Sequence, residues 1–193
     1  KLRLKVDRNE VIKNKVVAPK YYDSIVPYID IDLPKEAIHK HQLVMLDIIA
    51  NNHWKRPIYF SGGSADPEDY VWLKDYLQLD GMAYKFVPVK TIPAKESSGM
   101  DVGYIDTDKM YNIVTKWYWG NSGDPNIYHD PQTIRYSRMY RRNLALLEDA
   151  LIKEGKYSKA KNIADIVLKN MPPEYYGFYF IYEPFAAGYY KSG

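Results

Sequence analysis

Cysteine is absent from the 193 residues. That excludes disulfides, thiolate metal sites and a cysteine nucleophile, and it leaves the redox compartment unassigned. No apolar run approaches the ~20 residues of a membrane-spanning helix. The chain does not open on a charged segment followed by an apolar one, so no leader is read there. It begins KLRLKV, with no Met, and reads as an excised piece of something longer. A large excess of one charge is missing too. A net charge of +3 and a pI near 8.7 fall short of the concentrated basic stripe of a nucleic-acid-binding domain, so nucleic acid is not an expected partner.

What is present describes a globular chain: 46% hydrophobic and 26% charged residues, long enough for one medium domain or two small ones. The 20 Tyr and 4 Trp stand out. Such amphipathic rings suit surfaces that bind sugars, peptides or neighbouring protein, although most rings of this kind pack in cores.

Along the chain, LRLKV and VIKNKVV alternate apolar and polar residues around DRNE, which predicts a β-hairpin. The proline- and aromatic-bearing APKYYDSIVPYIDIDLP predicts an extended surface segment. Pro34 and Glu36 suit a helix start; Ile38, Met45, Ile48 and Ile49 share a helical face, and Asn51 and Asn52 suit its end. PIYFSG follows as a strand. Asp66 and Pro67 then predict a second helix start, with Trp72, Leu73, Tyr76 and Leu79 as that helix's buried face, and MAYKFVPV as the next strand. Helix, strand, helix, strand implies an α/β fold, a mixed sheet with crossover helices, over 1–104.

Lys95 to Gly103 reads as a linker or lid, and from residue 105 to 193 the period is helical. DTDKMYNIVTKWYW predicts a helix capped by Asp106 or Thr107, and a long helix is expected from about Thr133 to Glu154. Leu147, Leu151, Gly155, Tyr157, Ala160, Ala164 and Pro172 follow the spacing of a tetratricopeptide unit. Phe185, Ala186, Tyr189 and Gly193 repeat the pattern of Leu147, Glu148, Leu151 and Gly155, as a further first helix would.

Several constellations invite chemistry. In FSGGS the amides of Gly62, Gly63 and Ser64 suit an anion, but the turn lacks the Lys-Ser/Thr of a P-loop, and a tight strand-to-helix turn is the default. Lys55 and Arg56 suit carboxylate or phosphate and equally suit the carbonyls at a helix end, while Trp54 either stacks on the guanidinium or plugs the sheet end. Asp30/Asp32 and Asp106/Asp108 have the Asp-x-Asp form of metal-nucleotide sites, yet Asp106 is better explained as a cap. Placed on one helix, His39 and His41 would point about 200° apart and not chelate one ion. His53 and His129 belong to no ligand pattern. Arg135, Arg138 and Arg142 form an i, i+3, i+7 stripe, either a solvated face or a contact for acidic headgroups or phosphate. Trp117 and Trp119, two apart, offer one ring to the core and the other as a sugar platform. No catalytic residue, metal ligand or cofactor is assigned.

NNHWKRPIYFS, then DYLQLDGMAYKFVPV, then KMYNIVTKWYWGN and one helical repeat, together resemble the C-terminal soluble portion of a Bacteroidetes-type family. Its members are polytopic membrane proteins of originally unknown function, related to protein O-mannosyltransferases. Asp80 and Met82 stand where Glu and Leu are usual in that pattern. The resemblance implies a periplasmic, or otherwise extracytosolic, accessory domain of a lipid-dependent glycosyltransferase whose catalytic acid lies near the first membrane spans. It transfers no catalytic role onto Trp54, Lys55, Arg56 and Pro57. The expected partners are the membrane-embedded part of the same parent and a protein acceptor or glycan. The alternative is an independent carbohydrate- or peptide-binding module.

Overall fold

Asp7 turns the chain from strand to helix. In a computed structural model of the chain, which describes residues 1–33, 37–61, 71–91 and 103–192, the Asp7 carboxylate accepts from the amides of Asn9 and Glu10 at 2.9 and 3.2 Å. That caps a helix, α1 (Arg8–Lys13), which buries Val11. The expected hairpin partner is therefore helical. Strand β1 (Leu2–Lys5) pairs instead with β2 (Tyr28–Ile31), antiparallel, Leu2 opposite Ile31 and Lys5 opposite Tyr28.

Helix α2 (Lys40–Asn51) starts at a capping box in which the His39 amide donates to Gln42 Oε1 at 3.0 Å. Ile49 is buried, whereas Ile48 is exposed. Pro34, Glu36, Asp66 and Pro67 fall outside the described residues. After β3 (Tyr59–Ser61), Val71–Tyr76 forms a 3-10 turn, and Leu79 lies not on a helix but in β4 (Leu77–Asp80). Its hairpin mate is β5 (Ala83–Phe86), across a two-residue turn whose first position, Gly81, has φ +70°. The four residues of β4 are all buried, and although Leu-Gln-Leu-Asp alternates apolar and polar residues, four residues are too short a run to stand out beside the helical spacing of Trp72, Leu73, Tyr76 and Leu79.

The second sheet runs β3-β5-β4. Both sheets are small and antiparallel, which corrects the expected mixed sheet with crossover helices: α2 joins strands of two different sheets and crosses over neither. The outer edge of β4 meets Tyr104, whose amide donates to the Leu77 carbonyl and whose carbonyl accepts from Leu79, both at 2.9 Å. Gly103, at φ +78°, makes that approach feasible, since a β-carbon there would lie 2.3 Å from the Leu77 oxygen.

Two units are resolved, one of residues 1–79 and 83–104, the other of residues 80–82 and 105–193. The first is mixed α/β in content and the second is helical. In the second, α3 (Thr107–Val114) is capped by Asp106, and α4 (Pro131–Lys153) by Asp130, which accepts from the amides of Gln132 and Thr133 at 2.8 and 3.1 Å. Helix α4 packs against α5 (Tyr157–Asn170), and α7 (Glu183–Ser192) lies against both. Leu144, Leu147, Leu151, Ala160, Ile163, Ala164 and Val167 are fully buried between them. A short helix, α6 (Pro173–Tyr176), and a 3-10 turn, Tyr179–Tyr182, join α5 to α7. Ala186, aligned in sequence with the buried Glu148, is exposed; Gly188 faces Glu148 instead. Among the described residues no helix is long and apolar enough to cross a membrane.

Candidate functional site

Helix α4 carries charge on its buried face. Ser137, Arg141, Leu144, Glu148 and Leu151 follow i, i+4, i+7, i+11, i+14 and all are buried. Arg141 is 0% exposed. Its guanidinium donates to Ser137 Oγ and to the Gly177 carbonyl, each at 2.9 Å, and lies 4.9 Å from the Tyr182 ring centroid and 5.9 Å from that of Tyr176. Burial lowers its pKa from the usual arginine value, though a guanidinium remains charged at neutral pH. Among the described residues no carboxylate pairs with it.

What this buried cation holds is a loop. Gly177 and Phe178 both take left-handed backbone, φ +56° and +54°. For Phe178 that conformation is unfavourable by roughly 1–2 kcal/mol and persists only where surroundings enforce it. Around it Tyr176 Oη donates to the Ser122 carbonyl at 2.9 Å, Tyr182 Oη to the Met171 carbonyl at 2.5 Å, and Tyr175 Oη to the Pro125 carbonyl. The result displays Phe178, Tyr179 and Phe180 at 39, 69 and 67% exposure. Arg138, one turn before Arg142 on α4, lays its guanidinium 4.8 Å from the Phe178 ring centroid, and Phe178 meets Phe180 edge-on at 6.4 Å.

The arrangement is an outward-facing patch of aromatic rings with an arginine stacked on it. Arg and aromatic side chains are the residue types enriched where proteins bind one another. Of the predicted stripe, the structure brings Arg138 to this patch, leaves Arg135 exposed, and half-buries Arg142. Arg141, Phe178, Tyr179 and Phe180 were not singled out by the sequence reading. Their signal was available in two places: the core register of α4, which Arg141 shares with Leu144 and Leu151, and the aromatic density of EYYGFYFIY.

The other predicted residues lie elsewhere. Trp117 and Trp119 sit beyond the end of α3 and so are not on opposite sides of a helix. They meet edge-on at 5.5 Å, and Tyr140 joins them at 5.5 and 6.2 Å. Trp117 also closes on Gly81, where a β-carbon would be 2.8 Å from its ring. Trp54, at φ +59° and buried, stacks on Phe86 at 5.5 Å and an 11° angle, the plugging role rather than a lid on the guanidinium. Lys55 and Arg56 are exposed, and Arg56 is tied by its backbone to Asn52, whose side-chain amide donates to the Arg56 carbonyl at 2.7 Å. Gly62 and Gly63 fall outside the described residues.

The acidic pairs are spoken for. Asp30 accepts from Arg3 at 2.6 and 3.0 Å, Asp32 lies 3.2 Å from Lys1, and Asp108 accepts from Lys156 and Lys159 at 2.9 Å each, which holds its carboxyl well below the usual range. His39 proves to be the cap of α2 and not part of it, so its ring stacks on His41 at 5.6 Å instead of pointing away. Among the described residues no group of three or more His, Asp or Glu is placed to hold a metal ion.

No match was found among curated proteins, and none among solved structures. The family model of TMEM260-associated domain 2 matches residues 1–109. The match takes in the first unit and the start of α3, and the Phe178 patch lies outside it. Covering more than half of the chain, it shows that this protein belongs to the TMEM260-associated domain 2 family.

Proposed function

We propose that the chain is a non-catalytic, extracytosolic accessory domain of a membrane-embedded glycosyltransferase, and that it docks a protein partner or acceptor on the Phe178 face. The observation that carries the docking role is the loop itself. A buried arginine and two left-handed residues are used to display three aromatic rings, an arrangement that packing alone does not require. The link to a transferase related to protein O-mannosyltransferases, and the periplasmic side, rest on the motif resemblance through NNHWKRPIYFS and KMYNIVTKWYWGN. A tetratricopeptide-like reading of α4 and α5 is supported by the Gly155 turn and by Ala160 and Ala164 at the close approach of the two helices. The test is a photo-crosslinking residue placed at Tyr179 or Phe180 in the parent protein in its own membrane. Adducts to a discrete partner should form there and not at exposed Lys161; equal labelling at both positions would remove the proposal.

A second reading, a carbohydrate-binding module, is favoured by Trp117, Trp119 and Tyr140 gathered beside Tyr118, which is 97% exposed. Titration with oligosaccharides should then quench Trp fluorescence, and a flat response across the panel would remove it.

A further inference from the structure

Resting on the reading of the Phe178 face as a docking surface, we infer that its occupant is an acidic peptide segment, with carboxylates at alternate positions beside an apolar residue. From Pro131 to Asn143 helix α4 carries Arg135, Arg138, Arg141 and Arg142 and no Asp or Glu, in a chain whose whole net charge is only +3. Among the described residues neither Arg135 nor Arg138 has a carboxylate partner. The surplus is local and its outer members face solvent.

The Arg138 guanidinium carbon lies over the Phe178 ring, 4.8 Å from its centroid, and among the described residues no carboxylate takes its N–H edge. That edge is a planar fork suited to a carboxylate, and the stack fixes its orientation in advance. Arg135 and Arg138 stand at i, i+3, so their β-carbons are ~5–6 Å apart. An extended peptide repeats its side chains on one face every ~7 Å. Two carboxylates at alternate positions therefore meet both arginines, and an adjoining apolar side chain reaches Phe180 and Tyr179, which are 67 and 69% exposed. A flat anionic bilayer fits less well. Glu174 and Glu183, both exposed, close the two ends of the aromatic loop, and a charged plane laid over the rings would meet them with like charge.

The test is selection of peptides from an unbiased displayed library on the intact chain, with vesicles containing phosphatidylglycerol as a parallel probe. The inference expects enrichment of Asp or Glu at alternate positions next to an apolar residue. Binding of an enriched peptide should weaken as salt rises and fall about tenfold or more in Arg138→Ala. Arg138→Lys, which keeps the charge and loses the fork and the stack, should fall nearly as far. Enriched peptides with no acidic excess, or indifference to Arg138→Ala, would overturn the inference and leave the docking surface standing. No enrichment, or binding to the vesicles alone, would overturn both.

Discussion

Helices α1 and α4, one in each unit, end in the same way and could hardly look more different in sequence. After α1, Lys15 donates to Ile12 and Val16 to Val11, at 3.1 and 3.0 Å; after α4, Gly155 donates to Ile152 and Lys156 to Leu151, at 2.9 and 2.8 Å. Both are Schellman closures, and both need a left-handed residue just past the helix. In α4 it is Gly155 at φ +72°, the residue whose lack of a β-carbon permits that backbone. In α1 it is Lys15 at φ 50°, and after α2 it is His53 and Trp54. Helix α1 performs with an ordinary residue what α4 performs with glycine. A stop signal is therefore visible in the second and hidden in the first.

The sharpest way to break this contrast is to alter glycine on both sides. Gly103→Ala should cost about 3 kcal/mol or more, because the added carbon meets the Leu77 carbonyl at 2.3 Å on top of an unfavourable φ. Hydrogen exchange at Leu79 and Tyr104 should report it as lost protection. Equal tolerance of Gly103→Ala and Gly155→Ala would show that the crowding around Gly103 is not felt.

Next in size is a pH effect confined to the helical unit. Glu148 is 1% exposed, has no hydrogen-bond partner for either oxygen, and faces Gly188 so closely that a β-carbon there would overlap Oε1. Burial, with the charge of Asp149 added to it, pushes its carboxyl up to about 8 from 4.5. A folded-state value above the unfolded one means that the stability is fully present below about 4.5 and is lost as pH rises through 8. At about 1.4 kcal/mol per pH unit, the loss across that window is a few kcal/mol. Thermal melts of the protein at about pH 5 and pH 8.5 should differ, and Glu148→Gln should remove most of the difference. An unchanged pH profile in Glu148→Gln would place the titrating group elsewhere.

Smaller effects come from the helix ends themselves. Gly155→Ala has open space around it and should cost about 1 kcal/mol through backbone alone. Lys15→Gly should move the other way and stabilise by up to about 1 kcal/mol, since the same closure would then be made by the residue it prefers. Chemical denaturation of the two variants should give shifts of opposite sign.

The same contrast explains how far the fold was legible. Asp106 and the long helix through Leu147 and Leu151 were readable because their signals are local: a cap within the first turn and a period of 3.6. The β1-β2 pair was not, since Leu2 finds Ile31 across most of the first thirty residues and VIKNKVV gives up its strand-like alternation to the Asp7 cap. Strand β4 does alternate, as Leu-Gln-Leu-Asp, but over only four residues, and Leu79 also fits a helical spacing with Trp72, Leu73 and Tyr76. Of the site, Arg138 was visible as part of a basic stripe. Arg141 was not, because arginine is assigned to the surface unless its register on the core face is given more weight than its charge. The display of Phe178, Tyr179 and Phe180 depends on left-handed backbone at Gly177 and also at Phe178, and the second of these no local motif announces.

Glu148 also makes folding a reaction with a proton among its reactants. At neutral pH the unfolded chain holds this carboxyl ionised, whereas the folded one, at about 8, holds it neutral, so each molecule takes a proton from the buffer as it folds. The heat measured on unfolding then includes the heat of protonating the buffer, and scans at one pH in phosphate and in Tris should return different enthalpies for the same protein.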